Sequence, residues 1–436
     1  MAQYRKDKHQ YLADGTTIFE VMMLADQYGN LVGPANPSGM AVDAFGRARV
    51  SEPITLFESF HRFQDNGKIS VANNAGGTYV FNSNTSTIDC TVSTANGAYV
   101  YRESPRTFAY QPGKSLQILQ SFVMNPVKTG LRQRYGYFGT NNGFFLERQS
   151  SGNTAFVSRS SANGSIVDTP VDQSEWNMDK LDGAGPSGLT LNLDDPQILF
   201  TDIEWLGVGT VRQGFVIDGK LIHCHSWHHA NKDTGPKGAY MQTACLPVRM
   251  EIENVGATAS NSTLKVICAT VISEGGYNVA GKPRTIYTPI TSQYALTTAG
   301  TYYPAATIQL KNANKDGIAI LTGISLVGLQ NASYHWKILK GATVGGNTTF
   351  NSAGTDSIIE TNLNANTVSG GTELASGFFV STNQSAAEIS LGGGGFFQYQ
   401  LERNSFANTV TPLTLAVASS APSSNVYASI NWQEIT

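Results

Sequence analysis

Gly214-Phe215-Val216-Ile217-Asp218-Gly219-Lys220-Leu221-Ile222 is two apolar runs joined by Asp-Gly. A two-residue hairpin turn selects this dipeptide because both of its central residues take positive φ. The stretch therefore predicts an antiparallel hairpin. Just upstream, Ile198-Leu199-Phe200-Thr201-Asp202-Ile203-Glu204-Trp205 has the length and the β-branched and aromatic content of another strand. Further out, residues 114–124, 143–148 and 155–160 read the same way. Val248-Arg249-Met250-Glu251-Ile252-Glu253 alternates apolar with charged residues, as a half-buried strand does.

Many short strands, frequent turn residues and almost no helical periodicity predict an all-β fold, with two antiparallel sheets packed as a sandwich over residues 51–280. One short helix is expected at residues 172–181, where Asp172 would cap it and Glu175 stands at the capping-box spacing. Gly275-Gly276-Tyr277 through Gly281-Lys282-Pro283 reads as a linker. A second β pattern follows at 285–436 and predicts a second β-sandwich domain. Its candidate strands include residues 319–327, 334–340, 378–380, 396–401 and 413–418. Val426-Tyr427-Ala428-Ser429-Ile430-Asn431-Trp432 alternates as well, so a docked C-terminal strand is expected. Residues 1–50 carry too few apolar residues for a core and read as an extended N-terminal arm.

Composition narrows the function. Of 436 residues only 14% are charged, the net charge is −3 and 44 are Gly. An ordinary soluble chain is roughly 25% charged, so a coiled coil, a charged disordered protein and a basic nucleic-acid binder are all disfavoured. No stretch approaches the roughly 20 apolar residues of a membrane helix, and no secretory leader is expected behind MAQYRKDKHQ. Cys90, Cys224, Cys245 and Cys268 are far apart, which predicts four reduced and mostly buried thiols.

Four groups of residues are chemically suggestive. Leu221-Ile222-His223-Cys224-His225-Ser226-Trp227-His228-His229 holds four of the seven histidines. On a regular strand His223 and His225 share a face, where they can hold a metal ion with a third ligand or form a hydrogen-bonded pair at a sheet edge. Asp202 and Glu204 also share one strand face, beside Trp205. Asp179, Asp182, Asn192, Asp194 and Asp195 crowd the Gly-rich stretch 182–188, which suits either a calcium loop or an ordinary surface loop. Arg102, Arg106, Arg132 and Arg134 are interleaved with Tyr101, Phe108, Tyr110, Tyr135 and Tyr137, a mix that can bind nucleic acid or sugars but, at a net charge of −3, more often packs as cation–π neighbours across a sheet. No phosphate-binding glycine motif, H-E-x-x-H or G-x-S-x-G is present, and Gly392-Gly393-Gly394-Gly395 reads as a loop. No cofactor is expected.

Phe200-Thr201-Asp202-Ile203-Glu204 resembles the E-x-D-x-E strand of laminarinase-like, concanavalin-type hydrolases, in which the first Glu is the nucleophile and the last the acid/base. Phe200 stands in the nucleophile's place. Retaining glycosidases need both carboxylates, so the likeness implies a concanavalin-like or jelly-roll-type sandwich without catalysis. The alternative function it implies is a carbohydrate-binding module, or inactive hydrolase-like sandwich, touching host surface glycans through Asp202, Glu204 and Trp205.

A wider resemblance runs through Val42-Asp43-Ala44-Phe45-Gly46-Arg47-Ala48-Arg49-Val50-Ser51-Glu52-Pro53, Tyr110-Gln111-Pro112-Gly113-Lys114-Ser115, Ile203-Glu204-Trp205-Leu206-Gly207-Val208-Gly209, Cys245-Leu246-Pro247-Val248-Arg249 and the ending 426–434. These stretches resemble virion structural proteins of tailed, marine-type bacteriophages. The resemblance implies a non-enzymatic tail fibre, neck or collar appendage, or head decoration. It further implies assembly in the host cytoplasm, attachment to portal, neck, tail or capsid proteins through the arm, and a homotrimer. Phage fibres also bind metal through H-x-H pairs, the spacing of His223 and His225. Nucleic-acid binding and membrane insertion are not expected.

Overall fold

The computed structural model describes residues 53–232, 237–276, 281–382, 399–406 and 409–435, plus short backbone pairings of 10–11 with 18–19 and 24–25 with 31–32. The arm expected over 1–50, most of the stretch 42–53 and the loop 392–395 lie outside the described residues. Every pairing between strands is antiparallel, and among the described residues the only helices are single 3-10 turns at Gln173–Glu175 and Asn312–Asn314. The chain is an all-β protein built on antiparallel sandwiches.

The first sandwich has an eight-stranded and a seven-stranded sheet. In the first, the order is Lys220–Trp227, Val211–Ile217, Gln197–Ile203, Ser115–Val123, Ser262–Glu274, Thr87–Val92 and Gly77–Asn82, with Ile54–Phe60 also paired to Ser262–Glu274. The second runs Val167–Asp172, Thr154–Ser160, Gly143–Arg148, Leu131–Phe138, Val248–Asn254, Tyr99–Glu103 and Ser70–Asn73. Alternation decides what each strand buries. Leu116, Ile118 and Phe122 point from the first sheet into a core that Tyr135, Tyr137, Phe144 and Leu146 enter from the second. Phe122 stacks on Tyr135 at 4.4 Å, and buried Gln120 donates to the Gly136 carbonyl at 3.1 Å.

The expected hairpin is present. Ile217 pairs with Lys220 around Asp218 and Gly219, whose φ values are 51° and 73°. The expected helix is absent. Trp176 stacks on Phe156 at 4.3 Å in an extended conformation, and the Met178 N–H bonds the Cys224 carbonyl, so the chain runs along the sheet instead of coiling. Asp172 makes no cap hydrogen bond. Cys268 departs from the expected burial because a bulge lies between the pairs Ser121–Cys268 and Phe122–Val266. Leu264 and Val266 face inward before it and Ala269 and Val271 after it, which leaves the Cys268 thiol exposed.

A second core draws on residues 296–432. Ser424–Ile435 pairs with Ile318–Gly328 and Lys282–Tyr287, with Tyr399–Gln400 and Tyr294–Leu296 completing that sheet. Its partner sheet runs Asn351–Ser352, Ile359–Asn362, Tyr303–Leu310, Leu413–Ser419, Ala332–Lys340 and Thr372–Ser381. Lys282 and Pro283 belong to an edge strand rather than to the linker, and a proline without an N–H is tolerated there. A small cluster of Ala109, Ile318 and Ile320, backed by Cys245 and Ile435, lies between the two cores.

Candidate functional site

Strand Gln197–Ile203 sends Leu199 and Ile203 into the core and leaves Phe200 and Asp202 on the opposite face. Arg212 stands directly across from Asp202 in the neighbouring strand. Its Nη1 donates to Asp202 at 3.2 Å and lies 3.5 Å from a Glu204 oxygen. Both carboxylates are nearly buried, at 5% and 6% exposure, so the cation they share offsets their desolvation. Trp205 packs its ring against the main core, edge-on to Tyr110 at 6.0 Å, and its buried indole N–H finds no hydrogen-bond acceptor among the described residues. The structure thus brings Asp202, Glu204 and Trp205 together, but as an Arg212-bound, core-packed group. A sugar platform, the contact expected from sequence, needs an exposed ring face beside accessible polar groups.

The histidine pair is split by a bulge. Gln213 pairs with His225 and Gly214 with His223, so the two rings lie on opposite faces, contrary to the regular-strand expectation. His225 turns inward, 4.6 Å from Trp227, and its Nδ1 accepts the Asn177 N–H at 3.3 Å. His223 turns outward, with Nε2 2.9 Å from the Ser226 hydroxyl and 3.2 Å from the His225 carbonyl. Burial lowers both to about 4, helped at His223 by the Arg212 charge and at His225 by His223. Among the described residues no group of three or more His, Cys, Asp or Glu side chains is placed to hold a metal ion. In the Gly-rich loop Asp179 accepts the N–H groups of Leu181 at 2.9 Å and Ser187 at 2.7 Å, and Asp182 accepts that of Ala184, so these carboxylates shape the loop's own backbone.

The strongest polar assembly was not visible in the sequence. Glu103, 1% exposed, accepts Arg249 at 2.6 Å and Arg403 at 2.8 Å. Arg249 also pairs with Glu251 at 2.6 Å, and Arg403 with Asp316 at 2.8 Å. Burial opposes the charge on Arg249, but Glu251 and Glu103 outweigh it and raise its pKa. Around this network the Thr107 hydroxyl donates to the Asp316 carbonyl, Gln400 donates to the Thr107 carbonyl, and the Ser405 hydroxyl to that of Ser104. Residues some 300 positions apart thereby meet in one seam between the sandwiches. The interleaved arginines and aromatics do not divide cleanly by face, because Arg102 is itself fully buried. Tyr135 and Tyr137 enter the core, while Arg134 pairs with Glu147 and lies over Phe145, and Arg102 makes a bidentate bond to Asp65.

No family model and no curated protein matches the chain. Among solved structures it is similar to peanut lectin in complex with a nine-residue peptide, at 11% identity over 51% of this chain and 98% of the lectin, with a TM-score of 0.30. A Bacteroides ovatus mixed-linkage glucan hydrolase of family GH16, bound to its product, is 9% identical over 50% of this chain and 99% of its own, with a TM-score of 0.33. A carbohydrate esterase from the Shiga toxin-encoding bacteriophage phi24B is 9% identical over 52% and 100%, with a TM-score of 0.30. At such identities the likeness is one of fold alone.

Proposed function

We propose that the chain is a non-enzymatic structural component of a phage virion, a fibre, neck appendage or head decoration that attaches through residues 1–50 and displays two docked sandwiches. One observation carries the proposal: three of the stretches that carry the phage resemblance converge on structural contacts at and beside the seam. Tyr110 accepts the Leu206 N–H through its hydroxyl at 3.2 Å, donates its own N–H toward Cys245 Sγ at 3.5 Å and meets Trp205 edge-on. Arg249, at the end of the Cys245 stretch, belongs to the Glu103 network. Tyr110, Trp205, Leu206, Cys245 and Arg249 are thus tied into architecture.

The glycosidase route has no support in this arrangement, because Phe200 replaces one carboxylate and Arg212 engages the other two. The test is incorporation. Tagged full-length protein should be found at fixed sites on phage particles imaged by cryo-electron microscopy, and a chain lacking residues 1–50 should be absent from them. Particles without the protein, or incorporation indifferent to that deletion, would overturn the proposal.

A further inference from the structure

Where the seam reaches the surface it opens into a cleft of about 560 Å³. Its walls come from strand Tyr99–Glu103, from the turns at 139–142 and 242–247, and from Arg403, Ser405 and Phe406 of the second sandwich. Neither sandwich alone encloses it. Tyr99 and Tyr101, two apart on one strand face, stack at 4.6 Å with their planes 26° apart. The Arg249 guanidinium lies over both Tyr101, at 5.6 Å, and Phe406, at 5.4 Å, and so braces aromatic rings from the two sides.

The charges of this cleft are already matched. Arg249 is held by Glu103 and Glu251, Arg403 by Glu103 and Asp316, and the Tyr101 hydroxyl donates to Glu253 at 2.7 Å. An anionic ligand would therefore compete with built-in carboxylates, and a nucleic acid would find no uncompensated cation. What the cleft offers a guest is aromatic surface and neutral polar groups. Thr140, Asn141 and Gln242 are exposed at its rim, and Asn142 beneath them fixes the turns by accepting the N–H groups of Ser161 at 3.2 Å and Gln242 at 3.4 Å. Rings that take C–H faces, beside amides and hydroxyls that pair with hydroxyl groups, suit a polyhydroxylated, uncharged molecule.

We propose that this cleft between the sandwiches binds a neutral saccharide, with Tyr99, braced from behind by Tyr101, as its platform and Thr140 and Asn141 as hydroxyl partners. The inference goes beyond the virion proposal and stands apart from it, because sugar binding and particle incorporation are separate readouts. Full-length protein should be titrated calorimetrically with maltohexaose, cellohexaose and mannohexaose. At least one is expected to bind, Asn141→Ala and Tyr99→Ala should each weaken that binding about tenfold, and the melting temperature of Asn141→Ala should stay at the wild-type value. The Asn141 variant keeps the test decisive if Tyr99→Ala fails to fold. No heat from any of the three at millimolar concentration, binding unchanged by Asn141→Ala, or binding lost only in Trp205→Ala would each overturn the proposal.

Discussion

Two of the molecule's carboxylate–arginine groups are assembled in different ways. On the outer face of the first sheet, Asp202 and Glu204 both reach Arg212. At the seam, Glu103 is shared by Arg249 and Arg403, each of which has a further acid of its own. The first group is assembled by neighbouring strands of one sheet. The second is assembled by the docking of two sandwiches, so its integrity reports on the whole chain. Buried charge is costly to leave unpaired, and the number of partners each member retains sets the cost of removing another.

That contrast ranks the expected effects. Glu103→Gln withdraws the one acid common to two nearly buried guanidiniums and should destabilise the protein by about 3–5 kcal/mol in urea unfolding. Arg212→Met leaves Asp202 and Glu204, both nearly buried, without their shared cation, and should cost about 2–4 kcal/mol, a figure at or below the usual range for broken buried pairs. A smaller loss at Glu103 than at Arg212 would contradict this ranking of the two groups.

The histidines beside Arg212 sharpen it through pH. His223 and His225 have pKa values of about 4 in the folded protein against an ordinary value near 6.5, so between those pH values the unfolded chain binds more protons. Stability should fall as pH drops from about 6.5 toward 4, by an amount on the order of a few kcal/mol. In a series of denaturation midpoints, His225→Gln should flatten part of that fall. Smallest of all, Glu204→Gln keeps a hydrogen-bonding side chain beside Arg212 and leaves Asp202 in place, so it should cost about 1 kcal/mol or less.

The two places also differ in how far the sequence discloses them. Local chemistry was legible: Asp218-Gly219 announced its hairpin, and the alternation in residues 426–432 marked the strand Ser424–Ile435. Asp202 and Glu204 were recognisable because a strand puts alternate residues on one face. Their cross-strand partner Arg212 was not, since pairing depends on register. His223 and His225 misled for the same reason: one bulged residue reverses the face of everything beyond it. The failed helix at 172–181 shows tertiary packing overriding a capping signal, because stacking Trp176 on Phe156 outweighs one short helical turn. Glu103 and Arg403 carry no local signal at all. An ion pair across 300 residues exists only once both sandwiches have folded and met.

The Glu103 network across the seam predicts that the two sandwiches unfold as one cooperative body. Differential scanning calorimetry of the full chain, wild type against Arg403→Met, tests it most directly. A single transition in the wild type that separates into two in the variant is the predicted result. Two independent transitions already present in the wild type and unmoved by Arg403→Met would contradict it.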